Sequence, residues 1–184
     1  MNLTEVNQRL IENPSVRSTI GAIPVLPDIP GYYSIWAIID SSLPPSFRGR
    51  VIDCSGAKYS LLYIGIATKS LRTRLGNQEL QHKSPATFFR SIGAILGYSP
   101  ISGSLPVKSK SSNYKFSASD TTQIVNWIQL NLRIAWIGEI EPKGSIEVDL
   151  IRKHAPPLNI KHNPKPVSAL RNLRAKCRSI ARGN

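Results

Sequence analysis

Cysteine is nearly absent from this chain of 184 residues: only Cys54 and Cys177 occur, far apart and without a CxxC partner. That excludes a disulfide framework and a zinc knuckle, and makes a reducing cytoplasm the expected compartment. Long apolar runs are missing as well. No stretch reaches the roughly 18 residues that a transmembrane helix requires, and Asn2 to Asn13 lacks the basic start and apolar core of a secretory signal. No internal repeat is visible. Acidic residues are scarce, 11 against 24 Lys plus Arg, which gives a formal charge of +13 and a pI near 10.1. Such an excess calls for a polyanionic partner, nucleic acid first and a membrane surface a distant second. What is present, 41% apolar and 19% charged residues, suits one ordinary folded core rather than disorder.

Hydrophobic spacing divides the chain. Leu3, Val6, Leu10 and Ile11 recur at a helical period, so a short amphipathic helix is expected from Leu3 to Asn13, starting near a Thr4 cap and stopping at Pro14. Prolines at 24, 27 and 30 enforce an extended approach to Gly31. Tyr32 to Asp40 and Lys58 to Ile66 are β-branched and aromatic enough to be strands, with Ile134 to Ile140 as a third. Leu43 to Gly56 carries Pro44-Pro45 and Ser55-Gly56 and reads as a loop. Helices are expected over Lys69 to Leu80, over Ala86 to Gly97, over Thr121 to Leu130 behind a Ser119-Asp120 cap, and over Ile146 to His154, which stops before Pro156. The expected division is a lead-in over 1–30, one domain over 31–166 and a basic tail over 167–184.

The order of certain residues is more telling than any one of them. Gly31-Tyr32-Tyr33-Ser34-Ile35-Trp36 and Leu61-Leu62-Tyr63-Ile64-Gly65 are followed by Leu71-Arg72-Thr73-Arg74-Leu75, and far downstream by Glu147 and a Pro156-Pro157-Leu158-Asn159 turn. Together they resemble the GIY-YIG nuclease family, in the bacterial branch that carries a PPLN turn after its glutamate. The resemblance covers roughly Gly31 to Asn163 and implies an α/β fold with a small, mainly antiparallel three-stranded sheet flanked by helices. It also implies a metal-dependent phosphodiesterase, with Tyr33 as general base, Tyr63 orienting water or phosphate and Arg74 on the phosphate. Glu147 would hold the divalent metal, Mg²⁺ or Mn²⁺, and Asn159 would support the site by hydrogen bonding. Arg74 takes the family's arginine position if one residue has been added to the loop after Gly65; Arg72 is the other choice. The pattern of Glu, an apolar pair and Pro-x-Asn selects Glu147 over Glu139, Glu141 and Asp149. The first hairpin is wider than the family's, so the segment before the second strand is an insertion or holds a short extra strand. Tyrosine, with a reference pKa near 10, is a poor base at neutral pH. Tyr33 therefore needs a cationic neighbour that the sequence does not identify.

Other features have two readings each. Arg90, beside Phe88 and Phe89, either touches substrate or anchors the fold through its stem. Lys108, Lys110 and Lys115, interleaved with Tyr114, either track a nucleic-acid backbone or belong to a solvated loop. Val167 to Asn184 contains no acidic residue: Leu170, Leu173, Cys177 and Ile180 form one helical stripe, and Arg171, Arg174, Arg178 and Arg182 form another that can meet phosphates. His154, Asn159 and His162-Asn163 superficially match a ββα-metal site, but the upstream histidine and strand pair of such a site are missing. His82 lies beyond Gln78, the position where some restriction-type relatives carry a histidine. The expectation is an endonuclease that cuts double-stranded DNA ahead of RNA, in a restriction, repair or mobile-element setting. Its alternatives are a toxic nuclease effector, which would bring an immunity protein as partner, and a non-catalytic nucleic-acid-binding module.

Overall fold

In the computed structural model, which describes residues 1–54, 56–105 and 113–183, one antiparallel sheet organises the chain. Its strands β1 (Arg17–Ser18), β2 (Gly31–Ile38), β3 (Val51–Cys54), β4 (Ala57–Ala67) and β5 (Leu132–Gly138) lie in the order β1-β5-β2-β4-β3. β2, β4 and β5 are the three expected strands, so the expected count of three is corrected to five. Both additions are edges too short to announce themselves by pattern. β1 has 2 residues, and β3 folds back on β4 through Gly56, whose φ of +78° glycine adopts without strain. The widened first hairpin thus holds a short extra strand.

Side chains of β2 alternate between two cores. Tyr33, Ile35 and Ala37 enter the larger with Phe88, Phe89 and Ile128, while Tyr32 and Trp36 enter the smaller with Val6, Leu10 and Leu150. A β-bulge breaks the alternation in β4: Ile35 pairs with Tyr63 but Trp36 pairs with Leu61, leaving Leu62 as an extra residue. Leu61 and Ile64 therefore enter the smaller core, and Leu62 and Tyr63 the larger. In a regular strand running on from Leu61, Tyr63 would share the face of Leu61 and lie across the sheet from Tyr33. The bulge brings both tyrosines to one side.

Helices cover both faces. α1 (Leu3–Asn7) runs into a wider π turn, Gln8–Glu12, and buries Val6, Leu10 and Ile11. Its cap is Asn2 rather than Thr4, with Oδ1 accepting the Glu5 N–H at 2.9 Å. After the single turn α2 (Thr19–Ala22), the prolines lead into β2. A π-helix, Arg72–Leu80, follows β4 in place of the expected α-helix. Next come α3 (Thr87–Ile95) and α4 (Ala118–Asn131), whose cap is Ser117, its Oγ accepting the Asp120 N–H at 3.0 Å. α5 (Gly144–His154) packs with α1 on the smaller core. α6 (Ser168–Arg182) packs on α3 and buries Leu170, Arg174, Cys177 and Ala181. Arg174 therefore belongs to the packed face of α6, not to the exposed basic stripe expected for it, while Leu173 and Ile180 are only half-buried. No helix among the described residues is long and apolar enough to cross a membrane.

Candidate active site

Two glycines set the spacing of the site. A Cβ at Gly31 would lie 2.1 Å from the Ile137 carbonyl oxygen, and a Cβ at Gly65 would lie 2.4 Å from the ring and hydroxyl of Tyr33. Gly65 is the β4 partner of Tyr33, so its missing side chain is what lets the tyrosine lie across the strand. Tyr33 and Tyr63 then stand side by side with ring centroids 6.3 Å apart, and Phe88 closes on Tyr63 at 5.5 Å. Tyr33 is fully buried, and among the described residues its hydroxyl makes no hydrogen bond of ordinary geometry. Burial pushes its pKa well above the ordinary 10.0, Glu79 and Tyr63 add to that, and Arg74 pulls the other way. Tyr63 is pushed up likewise, chiefly by burial.

Arg74 stands in the first turn of the π-helix. Its Nη1 donates to Gln78 Oε1 at 3.0 Å, and its Nη2 lies 2.7 Å from Glu79 Oε1. Glu79 is fully buried, and its Oε2 accepts the Phe88 N–H at 2.9 Å, in the first turn of α3. Burial pushes the Glu79 carboxyl up, while Arg74 and the Phe88 N–H favour its charged form. Glu79 is the residue that sequence reasoning misses. A π winding closes i onto i+5 and stacks Arg74 over Glu79, whereas at α-helical spacing residues five apart diverge. Arg72 does something different: its Nε donates to the Leu26 carbonyl at 3.0 Å and its N–H to that of Pro27 at 3.1 Å, tying the helix to the lead-in.

Glu147 arrives from the first turn of α5, half-buried. Tyr32 anchors that turn, its hydroxyl accepting the Lys143 N–H at 2.5 Å and donating to the Lys143 carbonyl at 3.2 Å. Burial pushes the Glu147 carboxyl up, and the backbone of Ile66, Arg74 and Lys161 draw it back. Beyond β3, the open edge of β4 is stitched by the proline turn: the Leu158 N–H reaches the Leu62 carbonyl at 3.0 Å. Asn159 Oδ1 accepts the Ile64 N–H and its Nδ2 donates to the Ile64 carbonyl, both at 2.9 Å. Both ends of that amide are engaged by the strand, so Asn159 fixes the backbone beside Tyr63.

Tyr63, Glu147, Asn159, Lys161, Arg174 and Arg178 border a cleft of about 750 Å³. Arg171, which is exposed, also lines it, whereas Arg182 is exposed outside it. Arg74 and Gln78 line a separate hollow of about 250 Å³ with Thr68 and Lys69. Arg90 is buried, its guanidinium 5.6 Å from the Tyr114 ring centroid. Lys115 is exposed beside a third hollow, which His82 lines; Lys108 and Lys110 lie outside the described residues. His154 is engaged by Asn7 Oδ1 at 2.6 Å. Among the described residues no group of three or more His, Cys, Asp or Glu stands together to hold a metal.

His82 stacks on Phe89 with ring centroids 4.3 Å apart. Burial, and then the charge of Arg90, lower its pKa from 6.5 to about 4. The unfolded chain thus takes up a proton below pH 6.5 that the folded chain refuses until about pH 4. The contribution of His82 to stability is present above that interval and lost as pH falls through it. Melting temperature should therefore drop across the interval more steeply for the wild type than for His82→Gln. Parallel curves would show that the ring is as solvated as in the unfolded chain.

Comparison with known families matches the GIY-YIG catalytic domain over residues 31–178, from β2 into α6. No curated protein and no solved structure matches the chain.

Proposed function

The chain belongs to the GIY-YIG family, and on that premise we propose that it is a divalent-metal-dependent endonuclease hydrolysing phosphodiester bonds of double-stranded DNA. The observation that carries the reading is a cleft whose wall joins Tyr63 and Glu147 to arginines of α6, with Tyr33 stacked behind Tyr63. In a chain of formal charge +13 such a cleft suits a polyanion.

Glu147 is the residue that would hold the metal. A carboxylate at the cleft, without clustered nitrogen or sulfur donors among the described residues, suits Mg²⁺ or Mn²⁺. These hard ions accept one or two carboxylates and complete their shell with water and phosphate oxygens. Burial disfavours the lone Glu147 charge, and a cation would relieve that cost. Once bound, the ion supplies Lewis-acid stabilisation of the leaving oxygen. Arg74, locked by Gln78 and Glu79, offers its guanidinium to the phosphate where negative charge builds up. Tyr63 orients water or phosphate at the cleft wall. Tyr33 takes the proton of the attacking water, with Arg74 as the cationic neighbour that favours its phenolate. Burial opposes that form, so the resting residue is a phenol and the base is a minor species.

Plasmid DNA incubated with Mg²⁺, with Mn²⁺ and with chelator tests the reading. Cleavage is expected in the first two and none in the third, with sequencing of the ends to locate the cuts; inertness toward both DNA and RNA would remove it. A minor phenolate also sets the pH profile. The single-turnover rate should rise about tenfold per pH unit with no plateau up to about pH 9, because the Tyr33 pKa lies well above 10.0. Tyr33→Phe should lose turnover severely at an unchanged melting temperature. A flat profile with chemistry rate-limiting would assign the proton to another group.

A further inference from the structure

Two arginines lie inside the molecule without an ion pair among the described residues. Arg90, in the middle of α3, is 4% exposed, and Arg174, in the middle of α6, is 8% exposed. Arg90 Nε and Nη1 and Arg174 Nε are buried and have no hydrogen-bond partner among the described residues. Burying a guanidinium without a partner is costly, and burying two within reach of each other adds their repulsion. The charge of Arg174, after burial itself, is the largest influence holding the proton affinity of Arg90 down. The π face of Tyr114 lies under Arg90 and offsets part of the cost. The buried carboxylate nearby, Glu79, is committed to Arg74 and to the Phe88 N–H. Arg171 and Arg182 on the same α6 helix are exposed, so basic residues there reach water where the fold lets them.

Arg174 stands in the wall of the cleft with Tyr63, Thr87 and Glu147, and α3 packs Arg90 against α6 behind it. We propose that Arg174, backed by Arg90, is a phosphate-binding subsite. Its ligand is a backbone phosphate of the nucleic acid next to the one that is cut, held apart from the Arg74 position. The source of that phosphate rests on the nuclease reading; the oxyanion site itself does not. A phosphate entering the cleft would supply acceptors to Arg174, and its negative charge would offset the repulsion between Arg174 and Arg90. The burial that is costly in the free protein then strengthens the contact, because water no longer competes for it.

The test uses the full chain and inorganic phosphate, with chloride at equal ionic strength as the reference. At phosphate ten times its Kd the wild type should melt about 3–5 °C higher, Arg174→Gln should lose the shift, and Lys176→Gln, an exposed charge on the same helix, should keep it. No shift in the wild type, or an equal shift in Arg174→Gln, overturns the proposal. Should Arg174→Gln not fold, Arg174→Lys replaces it: loss of at least half the shift is expected, and the full shift overturns the site. Duplexes carrying one neutral methylphosphonate then identify the source. One position should cost the wild type about tenfold in affinity and cost Arg174→Gln nothing. The absence of any such position, with the free-phosphate shift intact, overturns the backbone assignment in favour of a free or terminal phosphate. Loss of the shift in Arg174→Gln, in a chain that cuts no nucleic acid, would leave the subsite standing and remove the nuclease reading. Cleavage without any phosphate shift would do the reverse.

Discussion

Glu147→Gln should abolish cleavage, lowering the single-turnover rate by about a thousandfold or more, while DNA affinity should stay within about twofold of the wild type. The substitution keeps the shape of the side chain and removes its charge, so the first turn of α5, held by the Tyr32 bonds to Lys143, is undisturbed. What would be lost is the anionic oxygen proposed to hold the metal. The basic wall of Arg171, Arg174 and Arg178 is untouched, and on the proposed reading that wall would supply the affinity. Because burial disfavours the Glu147 charge, the melting temperature of the variant should hold or rise slightly. The wild type should need more Mg²⁺ as pH falls, starting at a higher pH than an ordinary glutamate would cause, because protons and metal compete for one raised carboxyl. Single-turnover cleavage of a labelled duplex and fluorescence anisotropy read the two effects separately. Wild-type cleavage by Glu147→Gln would place the metal carboxylate elsewhere.

The parts of this molecule that were legible in its sequence are those governed by local residue type and regular spacing. β-Branched and aromatic runs locate β2, β4 and β5, and in the structure Gly65 makes room for the Tyr33 ring and Gly31 for the Ile137 carbonyl. The rest depends on departures from regular spacing. The extra residue Leu62 turns Tyr63 toward Tyr33, and nothing in Leu61-Leu62-Tyr63 announces a bulge. The π winding of Arg72–Leu80 brings Glu79 under Arg74, where a period of 3.6 sends it to another side. Arg174 illustrates a third cause. Residue type assigns an arginine to the solvated stripe of α6, but its position, four after Leu170 and three before Cys177, is that of the packed face, and position prevails. Edge strands of two and four residues, β1 and β3, carry too few side chains to show a pattern. The helix caps are displaced by two residues each, from Thr4 to Asn2 and from Ser119 to Ser117, because several residues able to cap lie side by side and local geometry chooses among them.

Arg74→Ala should lower the cleavage rate by about a hundredfold to a thousandfold, as removal of a donor aimed at developing charge does elsewhere, whereas Arg72→Ala should leave the rate nearly unchanged. The contrast follows from what each guanidinium already touches. Arg72 is exposed but bound to the Leu26 carbonyl, and losing that hydrogen bond should cost about 1 kcal/mol of stability. Arg74 is held on one edge by Gln78 and Glu79 and is about one-third exposed on the rest, which leaves donors free for a phosphate. Its removal also leaves Glu79 buried without its cation, and breaking a buried pair in this way can cost about 3–5 kcal/mol. Partial exposure of the arginine reduces that cost. A drop in melting temperature is therefore expected in both variants and cannot separate them; the rate measured on folded protein can. Arg74→Lys supplies the control. It keeps a positive charge against Glu79 and so should recover most of the stability, yet a single ammonium does not reproduce the planar fork toward phosphate and should recover little of the rate. If Arg74→Lys cleaves like the wild type, the residue works as a charge alone. If Arg72→Ala is the inactive variant and Arg74→Ala is active, the catalytic arginine lies two residues earlier and the loop after Gly65 carries no added residue.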